Sequence, residues 1–362
     1  MMRLAGCVLL CTALAGAAVA AAPGGGATNA AAFEFAVMRH AFTGSDGDEE
    51  LKRAVARADK DRPAFVIAAG IKSEAEACSD KLYLQRKTLL NKSDRPLVLV
   101  LTGADWAGCR NSAGRSNALD RLNRIREIYF DGQESLGQRK LDVNRQSTIT
   151  KFRSYAENAY WERGGVLFAT INLPAPNNHF LSEAGRNSEY EDRFVANRAW
   201  LQRLFGMARR RQLDGIVLVS DGDIKAHVEP GFSLLAGFST KQDGFAETRK
   251  LVVTLAEKYP GKVLLIDTAE RVPVPKSEEP PVGELAWRGN LGHVTLTGEW
   301  NAVRVEPGSK TLFALQAAPH GKDEKNGKAE KGGKADDDGR GARKDGGQSK
   351  APGARKDKAP AA

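Results

Sequence analysis

Residues 65–80 read FVIAAGIKSEAEACSD. The apolar run from Phe65 to Ala69 breaks at Gly70 into a polar loop, the pattern of a strand buried on both faces that ends at a sheet edge. In open α/β proteins ligands bind outside the carboxyl ends of such strands, so this tip is where an acid or a histidine is expected. Here the tip is Ala68-Ala69-Gly70, and none of the three can bind a metal or move a proton. What the chain does depends on how its neighbouring strands end.

Working outward, apolar runs alternate with amphipathic stretches. FEFAVM (33–38), PAFVIAA (63–69), PLVLVLT (96–102), GGVLFATINL (164–173), GIVLVS (215–220) and KVLLID (262–267) read as strands. Between them Leu51, Ala54, Val55 and Ala58 recur at i, i+3, i+4, i+7, and Leu201, Leu204, Phe205 and Ala208 repeat the pattern, so these segments are helices with one buried face. Residues 117–130 and the stretch carrying Phe245, Thr248, Val252 and Leu255 read likewise. The segment 293–315 alternates with period two around Gly298-Glu299 and Pro307-Gly308, which predicts a terminal antiparallel meander. Strands alternating with helices and then β structure predict one α/β domain with a mixed sheet over residues 21–320.

The two ends differ from this body. Residues 1–20 carry Arg3, an uncharged apolar run and Ala18-Val19-Ala20, the pattern of a cleaved signal peptide, which predicts a periplasmic or secreted protein. Leu4-Ala5-Gly6-Cys7 imitates a lipobox but precedes the apolar run instead of following it. No later stretch is apolar for long enough to span a membrane. Residues 321–362 contain no Val, Ile, Leu, Phe, Trp or Tyr and hold 12 basic and 8 acidic residues, so they are expected to form a disordered tail. That tail carries +4 of the net charge of +9, leaving the body ordinary. Its mixed signs and lack of aromatic residues speak against specific nucleic-acid binding and leave weak contact with an anionic envelope surface. Cys78 and Cys109 form an even pair in an exported chain, so a disulfide between them is expected, drawing two loops together.

Several stretches together resemble the calcineurin-like metallophosphoesterase superfamily, in particular an exported bacterial group. They are AGIKSEAEACSD, TGADWAGC, RLNRIREIYFDGQESLGQRKLDVNRQS, YAENAYWERGGVLFATINLPAPNNH, YEDRFVANRAWLQRLF and LTGEWNAVRVEP, in order across roughly 33–315. The resemblance implies an αββα sandwich of two mixed sheets. It also implies two metal ions about 4 Å apart at one sheet edge, which clamp a phosphate and activate a water.

The ligands implied by the resemblance are largely replaced. Met38-Arg39-His40 follows the first strand where Gly-Asp is expected, and Gly70 stands at the bridging aspartate. In TGADW, Thr102 and Gly103 replace a Gly-Asp pair and Ala104 replaces the asparagine, leaving Asp105 and Trp106. In LLIDTAERV both histidines are missing, Ala269 standing at one of the positions. The remaining candidate metal ligands are His40, Asp105, Asp221, Asp223 and Asp267. Asp221-x-Asp223, with His227 four residues on, also echoes the haloacid dehalogenase nucleophile motif, although a solvated loop is the plainer reading. Asn172, Asn177, Asn178 and His179 suit a ligand-binding loop at the former cleft, with Trp106 packing or covering it; the asparagines equally suit tight turns.

The expectation is therefore a pseudo-phosphoesterase with a binding or scaffold role, its partner an envelope protein or polymer and no cofactor required. The alternative is an active phosphatase or phosphodiesterase that holds Mn, Fe or Zn on a rearranged ligand set.

Overall fold

In the computed structural model the first strand, β1 (Phe33–Met38), turns Phe35 and Val37 to one face and Ala36 and Met38 to the other. The alternation follows from the two-residue period of a strand, and it recurs in β2 (Val66–Ala69), β3 (Leu97–Val100), β7 (Gly215–Ser220) and β8 (Lys262–Asp267). All of these strands are buried on both faces, which is why they read as unbroken apolar runs. The structure describes residues 30–39, 47–181, 187–228, 242–268, 284–296 and 300–316. The signal-peptide segment, the tail, His40 and Ala269 lie outside the described residues.

Two mixed sheets face each other. The first runs β12-β11-β1-β2-β3, with β11 (Trp300–Val305) antiparallel to both β1 and β12 (Phe313–Gln316). The second runs β4-β5-β6-β7-β8-β10-β9, where β4 (Asn144–Arg145), β5 (Ala159–Arg163), β6 (Val166–Thr170), β9 (Ala286–Arg288) and β10 (Leu291–Thr295) complete it. Their facing sides share one core, centred on Phe35, Phe65, Trp161 and Phe168, whose ring centroids lie 5.0–5.7 Å apart. Such aromatic pairs add roughly 0.5–1.5 kcal/mol each beyond the area they bury.

Helices cover the outer faces. α1 (Gly47–Asp61), α2 (Asp80–Leu90) and α4 (Ala118–Tyr129) pack on the first sheet, and Leu51, Ala54, Val55 and Ala58 are buried as their spacing predicts. α5 (Ser188–Arg210) and α6 (Ala246–Glu257) cover the second through Leu201, Leu204, Phe205 and Val252. The layer order is the αββα sandwich that the metallophosphoesterase resemblance implies. Among the described residues no helix is long and apolar enough to cross a membrane.

Two details differ from the sequence reading. The run 164–173 is the second arm of a hairpin: Gly164 and Gly165, both at positive φ, turn β5 back into β6. The terminal antiparallel segment is divided between the sheets. β10 pairs antiparallel with β9 but parallel with β8, and the chain then crosses to the first sheet, where β11 and β12 form the other hairpin. Alternation reports the pleat of one strand and says nothing about its neighbour, so the crossing was invisible to it.

Cys78 and Cys109 are joined, with their Cα atoms 5.9 Å apart. The bridge ties the loop before α2 to the loop after the short α3 (Gly103–Trp106). The bridge thus joins loops after β2 and β3 of the first sheet. Asp221 after β7 links them to the second through the Gly103 and Ala175 amides, at the edge that holds the candidate residues.

Candidate functional site

The tips of β2 and β3 are joined through Asp105. Its Oδ1 accepts from the amides of Ile71 (2.6 Å) and Lys72 (3.2 Å), and its Oδ2 accepts from the amide of Thr102 (2.8 Å). An acid three residues after Thr102 is placed to cap the turn it helps to form. The Asp105 carbonyl accepts from the Tyr83 hydroxyl at 2.8 Å. Gly70 sits at φ +85°, a conformation that leaves its amide on Val100 O and turns the chain towards Asp105. Lys72 is buried beside this carboxylate and donates to Ser73 O at 2.6 Å. Burial lowers its pKa, against the opposing pull of Asp105 and two nearby glutamates.

Asp221 performs a similar service across the two sheets. Its Oδ2 accepts from the amides of Gly103 (2.8 Å) and Ala175 (2.7 Å), so the end of β7 holds α3 and the loop after β6 together. Burial pushes its pKa up to about 7, outweighing those two amides, which favour the ionised form. The Ala175 loop lies so close to Gly103 that a Cβ placed there would stand 1.8 Å from Ala175 O. Arg39, after β1, donates from Nε to Thr268 O at 3.2 Å, so a guanidinium spans from the first strand end to the eighth.

The loop after β6 is held from several sides. Asn172 is buried, and its Nδ2 donates to Glu157 at 2.9 Å. Asn177, Asn178 and His179 all have φ near +50°, and the first two bond to the backbone of Gly244. The buried Arg193 guanidinium donates to the Asn178 side chain and, at 2.9 Å, to its carbonyl. His179 packs edge-on against buried Trp106, with centroids 4.7 Å apart, and burial lowers its pKa. Each of these side chains orders the loop. Trp106 packs beneath it.

A second group gathers at the ends of β7, β8 and β10. His293 Nε2 lies 2.7 Å from Asp267 Oδ2 and 3.3 Å from Asp223 Oδ1. Thr295, opposite Asp267 in the β10–β8 register, donates to the same Oδ2 at 2.9 Å. The His227 ring stacks on His293 with centroids 3.9 Å apart and planes 8° from parallel. Burial opposes protonation of His293, but hydrogen bonds to Asp223 and Asp267 prevail and raise it to about 9. Asp223 is held down to about 2: burial opposes this, and the His293 hydrogen bond overcomes it. Asp267 is raised, burial outweighing the same hydrogen bond.

Of the residues singled out in the sequence, Asp223 and Asp267 share one partner, while Asp221 and Asp105 are each engaged by backbone amides. His293 and Thr295 were missed, because a histidine within a strand has no local signature. Only pairing with β8 brings them to Asp267. Lys72 and Glu157, both in loops, were missed because only tertiary contacts set them beside Asp105 and Asn172.

No family model matches the chain, and no curated protein matches it. Among solved structures it is similar to GAP50, the anchor in the inner membrane complex of Plasmodium, at 12% identity and TM-score 0.43 over 76% of this chain and 81% of that one. It is also similar to a dimetal phosphatase from Danio rerio, at 11% identity and TM-score 0.44 over 75% of this chain and 92% of that one.

Proposed function

We propose that this is an exported protein with a phosphoesterase-type sandwich that has lost the dimetal centre, and that it binds or scaffolds an envelope protein or polymer. The observation that carries this reading is the commitment of Asp105, whose two oxygens accept from three buried amides. Gly70 leaves the bridging position without a carboxylate, and the Asp105 lone pairs that accept from amides are not available to a cation in its place. Two neighbouring features support the reading. Position 103 has no room for a side chain against Ala175 O, and Arg39 and Lys72 bring positive charge to the strand ends where cations would sit. The residues present do not fit a pair of metal ions.

An active enzyme with a rearranged set (His40, Asp105, Asp221, Asp223 and Asp267) is the rival. It is favoured by the convergence of Asp223 and Asp267 on one imidazole. The two readings separate in a single experiment on the purified chain after exposure to Mn²⁺, Zn²⁺ and Fe²⁺. Metal content is measured together with hydrolysis of phosphomonoesters and phosphodiesters. The proposal expects no metal-dependent hydrolysis. Two retained equivalents, with turnover abolished in Asp221→Asn, would overturn it.

A further inference from the structure

We infer that Asp223, His227 and His293 form a binding site for one divalent transition-metal ion, built without the positions Gly70 and Ala104. One ligand atom from each of the three lies within 4.8 Å of the others, and among the described residues this is the group of such donors close enough to share an ion. Donors bound tetrahedrally to one ion at about 2.0–2.2 Å stand about 3.3–3.6 Å apart, so closing the site requires the widest pair to contract by up to about 1.5 Å. The side chains reach that spacing through local chain geometry. Gly222 passes under the Phe245 ring with its amide on Leu173 O, and a Cβ there would stand 2.4 Å from the ring. The Asp223 carboxylate then accepts from the Lys225 amide at 2.6 Å, with Lys225 at φ +55°, and this turn brings His227 back over His293.

The surroundings are those of a metal ligand rather than of a packed core histidine. A ligating imidazole is commonly held by a carboxylate that is itself hydrogen-bonded. Asp267 Oδ2 lies against His293 Nε2, the nitrogen that also faces Asp223, so Asp267 takes that supporting place only when the ion sits on His293 Nδ1; Thr295 fixes Asp267. His293 is buried, while Asp223 and His227 are partly exposed as residues although both His227 ring nitrogens are buried. Two imidazoles and a carboxylate favour Zn²⁺, Co²⁺ or Ni²⁺ over Mg²⁺ and Ca²⁺, which take oxygen donors. The parallel rings must tilt towards a shared ion, because each lone pair lies in its own ring plane. Three protein donors leave at least one coordination position for water or another ligand.

The test is titration of the full chain, purified without a histidine tag, with Co²⁺, followed by visible absorption and by metal analysis after removal of loose ions. One retained equivalent with a ligand-field spectrum is expected. His227→Ala should weaken binding by at least about 100-fold and Asp267→Asn by about 10- to 100-fold, the range for a residue behind a ligand. Asp221→Asn should retain the ion. If His293→Gln fails to fold by circular dichroism, His227→Ala decides alone, since that residue is only partly buried. Absence of a retained equivalent in the folded protein, or binding that survives His227→Ala, would overturn the inference. Two equivalents lost in Asp221→Asn would overturn both this inference and the loss of the dimetal centre. One equivalent lost only in the histidine variants leaves that loss standing.

Discussion

The carbonyl oxygen of Ala175 occupies the space that a side chain on Gly103 would need: a Cβ at that position would stand 1.8 Å from it. Both residues donate their amides to one oxygen of Asp221, so the approach is held from a third strand end. Because the obstacle is backbone, it cannot rotate away. Gly103→Ala should therefore destabilise the protein by at least about 1–3 kcal/mol, the usual cost of overpacking. Thermal unfolding checks this, and a melting temperature equal to that of the parent would refute the close approach.

Asp105 should matter for stability rather than for turnover. Asp105→Ala leaves three buried amides without an acceptor, at about 1–3 kcal/mol for each one that water cannot reach. Asp105→Asn keeps one acceptor oxygen but sets an NH₂ against an amide, so it should fall between the parent and the alanine variant. Denaturant midpoints would give that order. If both variants melt with the parent, the carboxylate is not holding the two strand tips.

The Cys78–Cys109 bridge closes a loop spanning 31 positions. In the chain-entropy model its removal costs about 3–4 kcal/mol. Denaturant unfolding with and without reductant, repeated on a Cys78→Ser, Cys109→Ser double variant, should show that loss in the parent alone. Equal sensitivity to reductant in both proteins would place the effect elsewhere.

His179 predicts a pH dependence with a definite sign. Burial against Trp106 lowers its pKa in the folded state, so the unfolded chain binds the proton first as pH falls. The contribution of the neutral ring is fully present above about 6.5 and is lost as pH drops from there through the folded-state value. The slope should be a fraction of the limiting value of about 1.4 kcal/mol per pH unit. Asn at position 179 tolerates the positive φ and does not titrate, so His179→Asn should flatten the stability profile between pH 7 and 5. Parallel profiles for parent and variant would exclude His179 as the source.

The strands and helices were legible because their periods are local. Val217 and Val219 alternate with Ile216 and Leu218 whatever lies beside them, and Leu51 and Val55 share a helix face by spacing alone. The Cys78–Cys109 pair was legible by count. The blank tip at Gly70 could also be read directly, since a missing side chain is missing in any fold.

Which way a carboxylate points was decided only in three dimensions. Asp105, Asp221, Asp223 and Asp267 look equivalent as letters. Yet Asp105 and Asp221 turn onto backbone amides, while Asp267 turns onto His293 and Asp223 is shared between His293 and the Lys225 amide. That difference comes from β10 lying parallel to β8 in the register that sets Thr295 beside Asp267, and from Ala175 closing over Gly103. Pairing and register depend on contacts between residues far apart in the chain, and no local pattern carries them.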